Sequence, residues 1–211
     1  MRVKRLQWAR KYRNWTADDW AKVCFSDEST FQCQSSTTPR VWTFCEGPTP
    51  TWGTVKHPTK VMVWSVISMK GPGRLHIVEG NMNADQYVHV LTSRLLPSLQ
   101  DWFPEGDFVF MQDGAPCHKA RKSMDCLRRN SIPVLDWPGN SPDCNPIETL
   151  WAIMKRRIRT QTLTTKQDLI SAIIKAWIRD ESMQETCRKL IASMPDRVEA
   201  VIKAKGGHTK Y

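Results

Sequence analysis

The pattern of hydrophobic and polar positions predicts a run of strands followed by strands that alternate with helices. Apolar and β-branched residues predict strands at residues 23–31, 61–68, 74–79, 108–111 and 132–135. A Gly-Pro-Gly turn at residues 71–73 makes the second and third of these a hairpin. The last two are short and fully apolar, as is typical of strands buried at the centre of a sheet.

Helical periodicity fills the intervals between these strands. It predicts a basic lead-in over residues 1–22 with Thr16 as an N-cap, a helix over 83–99 made irregular near its end by Pro97, helices over 117–130 and 146–159, and a final helical pair beyond residue 165. A meander of strands that then alternates with helices predicts an α/β fold, in which a mixed sheet carries helices on both faces.

Residues 39–58 differ from the rest of the chain. This stretch is rich in proline and glycine, yet it also contains Trp42, Phe44 and Trp52. A loop of that length inside a compact domain is usually functional or disordered, and its aromatic content is too high for an ordinary solvated loop.

Composition and charge narrow the class of protein. Lys and Arg number 31 against 21 Asp and Glu, which gives a formal net charge of +10 and favours a polyanionic partner. No apolar stretch approaches the roughly 20 residues that span a bilayer, and the basic N-terminus lacks the apolar segment of a secretory signal. The seven cysteines form no CxxC pair, which argues against a zinc site and is typical of free thiols.

Three acidic residues lie at special places in the predicted elements. Asp27 lies in the first strand, Asp113 directly follows the apolar strand 108–111, and Glu148 lies in the first turn of a helix. Functional groups of α/β sheets gather at the carboxyl ends of central strands. Carboxylates that converge there repel one another unless cations lie between them, and such oxygen ligands select Mg²⁺ or Mn²⁺. Two such ions would suit an in-line phosphoryl displacement.

Each acid also has a plainer interpretation. Asp27 could be the solvated end of a strand, and Asp113-Gly114 is an ordinary turn signal. Glu148 could close a capping box with Asn145, since Asn-Pro-Ile-Glu fits the first positions of a helix. The metal-site hypothesis therefore depends on all three acids together.

The flanks of these acids resemble the catalytic domain of the Tc/mariner superfamily of DNA transposases. The matching stretches are VCFSDES at 23–29, VMVW at 61–64, QDGAPCH at 112–118, WP at 137–138 and SPDCNPIETLW at 141–151. The thirty-four residues between Asp113 and Glu148 match the Tc-type branch, and the resemblance covers nearly the whole chain.

The resemblance implies a ribonuclease-H-like (retroviral-integrase-like) fold at residues 23–211. It implies an Asp-Asp-Glu triad of Asp27, Asp113 and Glu148 that binds two Mg²⁺ ions, with Mn²⁺ able to substitute. It further implies cut-and-paste hydrolysis at transposon ends with strand transfer into target DNA, a homodimer on DNA and a nuclear location. Residues 39–58 would be the family's clamp loop, although a loop folded on its own domain is an equal alternative. The family's N-terminal helix-turn-helix domains have no counterpart here, so residues 1–22 would be a linker or helix.

Other polar residues are weaker candidates. His118 and Asn145 could support the triad as outer-shell groups, although a helix-packed histidine and a simple helix cap are the plainer interpretations. Candidate DNA contacts are Arg2, Lys4, Arg5, Arg10, Lys11, Arg13, Lys119, Lys155, Arg156 and Arg159. A solvated basic face is the usual meaning of such charge runs. Two further hypotheses stay open: a catalytically idle, truncated or host-adapted transposase remnant that binds DNA or protein, and a nuclease of the same fold that acts on RNA–DNA hybrids.

Overall fold

The computed structural model describes residues 1–33, 59–178, 180 and 182–211. The predicted clamp loop at 39–58 lies outside these residues. The strands are β1 (Val23–Gln32), β2 (Lys60–Ser68), β3 (Gly71–Pro72), β4 (His76–Val78) and β5 (Val109–Met111). The helices are α1 (Arg2–Lys11), α2 (Ala17–Ala21), α3 (Ala84–Val90), α4 (Leu96–Trp102), α5 (Pro116–Lys119), α6 (Arg121–Arg129), α7 (Pro146–Arg159), α8 (Lys166–Ile178), α9 (Met183–Ala192) and α10 (Met194–Lys203).

The described strands form one mixed sheet in the order β3-β2-β1-β5, and β4 also pairs with β2. The β1–β2 pair is antiparallel, whereas β1 and β5 run parallel. The predicted hairpin is confirmed, since β4 pairs antiparallel with β2 and β3 lies in the connection between them. β2 is buried along almost its whole length because both of its faces are covered.

Alternation along the strands divides the core between the two faces of the sheet. Phe25 of β1 joins the larger core, which α1, α2 and α7–α10 cover, while its neighbour Cys24 joins a second core beneath α3, α4 and α6. In β5, Met111 belongs to the larger core and Phe110 to the second core. The predicted mixed sheet with helices on both faces is therefore confirmed.

Three predicted elements differ in detail. Residues 132–135 form no strand, only a parallel bridge between Phe110 and Val134, because Pro133 has no N–H to offer a longer ladder. The predicted helix 117–130 is two helices, broken where the backbone of Ala120 is extended (ψ 143°). The predicted helix 83–99 continues past Pro97 to Trp102, and a π-helical turn, Leu91–Leu95, joins α3 to α4.

The N-terminal segment is helical, as predicted, and its aromatic side chains enter the larger core. Trp8 of α1 and Tyr12, the residue after α1, are buried against Trp20 of α2, with ring centroids 6.3 and 5.7 Å from that indole. The predicted cap is confirmed: the Thr16 hydroxyl accepts from the Asp19 N–H, and the Asp19 carboxylate accepts from the Thr16 N–H. These residues thus pack as part of the body that carries the sheet.

The described helices include none long and apolar enough to cross a membrane. The six cysteines in the described ranges are free thiols, as the sequence predicts.

Candidate active site

Strand register brings two of the predicted acids together. Phe25 of β1 pairs in parallel with Met111 of β5. Asp27 comes two residues after Phe25, and Asp113 comes two residues after Met111. Both acids therefore lie side by side at the carboxyl end of β5, the end at which functional groups of such sheets gather.

Helix α7 brings the third acid to this end. Its N-cap, Asn145, accepts a hydrogen bond from the Ile147 N–H at 3.4 Å, as predicted for a cap, and its amide donates to the Ser26 carbonyl of β1 at 3.3 Å. The helix start is thus tied to the strand at the residue before Asp27. The alternative that Glu148 closes a capping box is wrong, because only Asn145 caps α7, and the Glu148 carboxylate faces Asp27 instead.

The electrostatics of Asp27 and Glu148 are those of acids crowded together. Burial, followed by the neighbouring charges of Glu148 and Glu28, raises the pKa of Asp27 well above its usual range. Burial is also the main cause that raises the pKa of Glu148, against the opposing charge of Lys155. The Oδ2 atom of Asp27 is buried and makes no hydrogen bond to any described residue. These two carboxyls therefore crowd the same site.

Asp113 has a different environment. Its Oδ1 accepts a hydrogen bond from the Ala115 N–H at 2.9 Å and lies 2.7 Å from Nδ1 of His118. His118 lowers the pKa of Asp113, and the Ala115 N–H and Lys119 act in the same direction against desolvation. Asp113 is thus ionised and held from one side, while its side chain is 46% exposed on the other.

His118 lies between two carboxylates. Its side chain is 2% exposed, and Nε2 lies 3.1 Å from Oε1 of Glu28. Burial disfavours the charged imidazole, but Asp113 and Glu28 outweigh it and raise the pKa of His118 to about 10. The Nδ1 contact with Asp113 is a close charge pairing whose angle is poor for a hydrogen bond. Sequence reasoning missed Glu28, whose partner lies 90 positions away.

A buried ion pair sits beside this site. Arg5 is 2% exposed and donates to both carboxylate oxygens of Asp143, at 2.8 and 2.7 Å. Its predicted DNA contact is therefore wrong, since the guanidinium is fully engaged inside the protein. Arg197 donates to the Asp143 carbonyl and to the Thr149 hydroxyl, each at 3.0 Å. We call Arg5, Asp143 and Arg197 the arginine hub.

The remaining candidate DNA contacts lie on the surface, as predicted. Arg2, Lys4, Arg10, Lys11 and Arg13 are exposed on or just after α1, and Lys119 lies against Gly114 beside Asp113. A groove of about 960 Å³ runs past Lys4, Lys11 and Lys119 and reaches Asp113.

Lys155, Arg156 and Arg159 are exposed on α7, whose apolar side chains face the core. A second groove of about 1170 Å³ contains these three cations together with Lys60 and Lys166. The described residues that line this second groove include no acid. Basic surfaces therefore approach the acids from two sides.

The donor set suits a divalent metal ion. Asp27, Asp113 and Glu148 offer hard oxygen ligands, and the buried Oδ2 of Asp27 accepts no hydrogen bond within the described part of the chain. In the arrangement seen here, however, no three His, Cys, Asp or Glu groups of the described chain lie close enough together to hold an ion. The predicted site thus needs a local adjustment of the three carboxylates before an ion can bind.

Comparisons with known proteins agree with the fold and the sequence motifs. Residues 22–170 match the family described as DDE superfamily endonuclease. The chain is 33% identical to the transposable element Tc1 transposase of Caenorhabditis elegans over its whole length and 78% of that protein. It is 32% identical to the Tc3 transposase of the same nematode, covering all of this chain and 63% of the relative.

Solved structures resemble this one closely. The Mos1 mariner paired-end complex with Mn superposes with a TM-score of 0.85 at 20% identity, covering 99% of this chain and 63% of the Mos1 chain. The isolated Mos1 catalytic domain gives a TM-score of 0.76, also at 20% identity, and covers 99% and 95% of the two chains. The predicted ribonuclease-H-like fold is confirmed, and the chain belongs to the DDE superfamily endonucleases as a catalytic domain of the Tc1/mariner transposase type.

Proposed function

We propose that this domain performs divalent-metal-dependent hydrolysis of phosphodiesters at transposon ends and strand transfer into target DNA. The observation that supports this most directly is the Asp27–Glu148 pair, two crowded carboxyls with raised pKa values at the end of the sheet, beside Asp113. A charge pair of this kind is costly to the fold, and a bound cation removes the cost.

Asp27, Asp113 and Glu148 would hold the metal, Mg²⁺ or Mn²⁺, as two ions per site. Bound there, the ions would activate the attacking oxygen and stabilise the leaving one. The protein's own part is to fix the ligands: Asn145 holds α7 against β1, and the parallel register holds Asp27 beside Asp113. Structures of Mos1 are described with Mn and with Mg.

DNA is the proposed partner, and the two basic grooves are its proposed path. Lys4, Lys11 and Lys119 would contact phosphates on the Asp113 side, and Lys155, Arg156 and Arg159 on the Glu148 side. Mos1 structures include paired-end and strand-transfer complexes. A homodimer assembled on DNA belongs to the same proposal. A nuclear location belongs to the same proposal.

Cleavage of duplex DNA with Mn²⁺ tests this function. We expect Asp27→Asn to lower the cleavage rate by more than about 100-fold, since loss of a ligand should exceed the usual effect of losing an outer-shell partner. Asp107→Asn is the matched control, an exposed acid paired only with Lys22. Equal rates in Asp27→Asn and the unaltered domain would contradict the proposal. Failure of the unaltered domain to bind Mn²⁺ would favour the idle remnant, and preference for RNA–DNA hybrids would favour the hybrid nuclease.

A further inference from the structure

Strand alternation separates Asp27 from Glu28. Successive side chains of β1 point to opposite faces, so Asp27 shares the face of Phe25, where α7 packs. Glu28 shares the opposite face with Cys24, where Tyr87 of α3 is buried. Glu28 therefore stands behind the acids, on the other side of the sheet from Glu148.

On that second face, His118 is fixed from three directions. Glu28 contacts Nε2 at 3.1 Å, Asp113 contacts Nδ1 at 2.7 Å, and the ring of Tyr87 lies 4.1 Å away between centroids. The Tyr87 hydroxyl donates to Oε1 of Gln112 at 2.6 Å, which ties this aromatic support to the residue before Asp113. A buried imidazole held on both nitrogens and along one face has no freedom to reorient.

We propose that Glu28 and His118 are positioning residues for Asp113: the Glu28 carboxylate fixes the imidazole, and the imidazole fixes the Asp113 carboxylate at the edge of the site. This inference rests on the proposed function. Both ring nitrogens face carboxylate oxygens, so neither offers a free lone pair, and His118 is a support rather than a metal ligand. Glu28 acts on Asp113 only through His118, because its own side chain lies on the far face of the strand.

The position of His118 also determines which oxygen of the Asp113 carboxylate is held by the protein. With Oδ1 of Asp113 shared between Nδ1 of His118 and the Ala115 N–H, the carboxylate is anchored by one oxygen. The other oxygen is left for the site. Anchoring of this kind pre-sets the direction of a ligand, and loss of such partners commonly weakens metal binding by about 10- to 100-fold.

Mn²⁺ titration by calorimetry tests this in the full chain, without reference to activity. We expect His118→Asn and Glu28→Leu each to weaken Mn²⁺ binding by about 10- to 100-fold, and Glu28→Gln, which keeps an acceptor for Nε2, by only about threefold. Glu79→Gln and His89→Asn are matched controls at exposed positions away from the site and should bind as the unaltered chain does. Circular dichroism melts of each variant verify folding, and the conservative Glu28→Gln keeps the test valid if Glu28→Leu does not fold.

Coupling between the two positions is the readout that a merely structural role would not give. If Glu28 acts through His118, the double variant Glu28→Leu/His118→Asn binds Mn²⁺ no more weakly than His118→Asn alone. Additive losses would overturn this inference, as would direct ¹⁴N coupling from His118 in the electron-spin-echo spectrum of bound Mn²⁺.

The two proposals fail in different ways. If the unaltered chain binds Mn²⁺, Asp27→Asn abolishes binding, and His118→Asn and Glu28→Leu bind normally, only the positioning role is overturned. If the unaltered chain binds no Mn²⁺, the proposed function fails, and the positioning role fails with it.

Discussion

Asp143 and Asp27 of this protein have opposite electrostatic environments. Asp143 in the arginine hub accepts two hydrogen bonds from Arg5 and two more from the N–H and hydroxyl of Thr209. Burial would raise its pKa, but these donors outweigh burial and lower it. Burial and the neighbouring charges of Glu148 and Glu28 raise the pKa of Asp27, and the one backbone donor, the Glu28 N–H, does not outweigh them.

The difference distinguishes an acid that stabilises the fold from an acid that belongs to a functional site. An acid whose lone pairs are all matched by protein donors stabilises the fold as it stands. An acid with a buried, unmatched oxygen destabilises the fold until something else binds there, which is the usual condition of a functional site. The four predictions below, ordered by expected size, test this contrast.

Removing Arg5 from the arginine hub should give the largest loss in the free energy of unfolding. Arg5→Met leaves Asp143 buried with only Thr209 as donor, and we expect the free energy of unfolding to fall by about 3–5 kcal/mol. The matched control is Lys11→Met on the same helix, whose ion pair with Asp136 is exposed, and its cost should stay below about 1 kcal/mol. Urea denaturation measures both, and similar losses in the two variants would remove the contrast.

The affinity for Mn²⁺ should rise steeply with pH. Below its raised pKa, Asp27 keeps a proton that a metal ion must displace, so binding is weak in mild acid and strengthens as pH rises toward that pKa. We expect a slope approaching about tenfold per pH unit between pH 6 and pH 8. Calorimetric titrations at several pH values measure it, and a flat profile would show that Asp27 is already ionised.

Asp27→Asn should stabilise the metal-free protein. Because the pKa of Asp27 is raised in the folded state, its protonated form contributes stability that is complete below the unfolded pKa and is lost as pH rises through the folded value. The amide avoids that loss, so we expect a gain of about 1–2 kcal/mol at pH 8 that vanishes near pH 4. Thermal melts without metal measure it; a destabilised variant at pH 8 would contradict the crowding of Asp27 and Glu148.

The surface cations should have the smallest effect on the fold. Arg156→Ala and Arg159→Ala remove exposed charges from the second groove, so stability should change by less than about 0.5 kcal/mol. Each should reduce the slope of log affinity for DNA against log salt by about 1. Fluorescence anisotropy at several salt concentrations measures this. Arg128→Ala, whose guanidinium pairs with Asp125, is the control and should leave the slope unchanged.

Local patterns were enough to predict β1, β2, β4, β5, α7 and the places of the three acids. Runs of apolar and β-branched residues mark β1 and β2, and Asn145-Pro146 marks the start of α7 whatever the tertiary structure. The parallel register that sets Asp27 beside Asp113 follows from the fold, which the motifs identified by resemblance.

Contacts between distant residues escaped prediction because no local signal encodes them. Arg5 looks like any other cation in a basic run, and its partner Asp143 lies 138 positions away. Glu28 looks like the solvated neighbour of Asp27, yet it meets His118. Two other errors have local causes. The break between α5 and α6 depends on the backbone geometry of Ala120. The strand predicted at residues 132–135 was based on apolar residues and did not take account of Pro133.

The arginine hub has a consequence for the order in which the chain acquires its structure during synthesis. Arg5 also donates to the carbonyls of Gly206 and Gly207, and the carboxylate of Asp143 accepts from Thr209. The two Arg5 contacts join residues 201 and 202 positions apart, so they cannot form until residues 206–207 have left the ribosome. The segment that leads into Glu148 therefore completes its contacts only after residues 206–209 have been synthesised, and a nascent chain carries all three acids before that point.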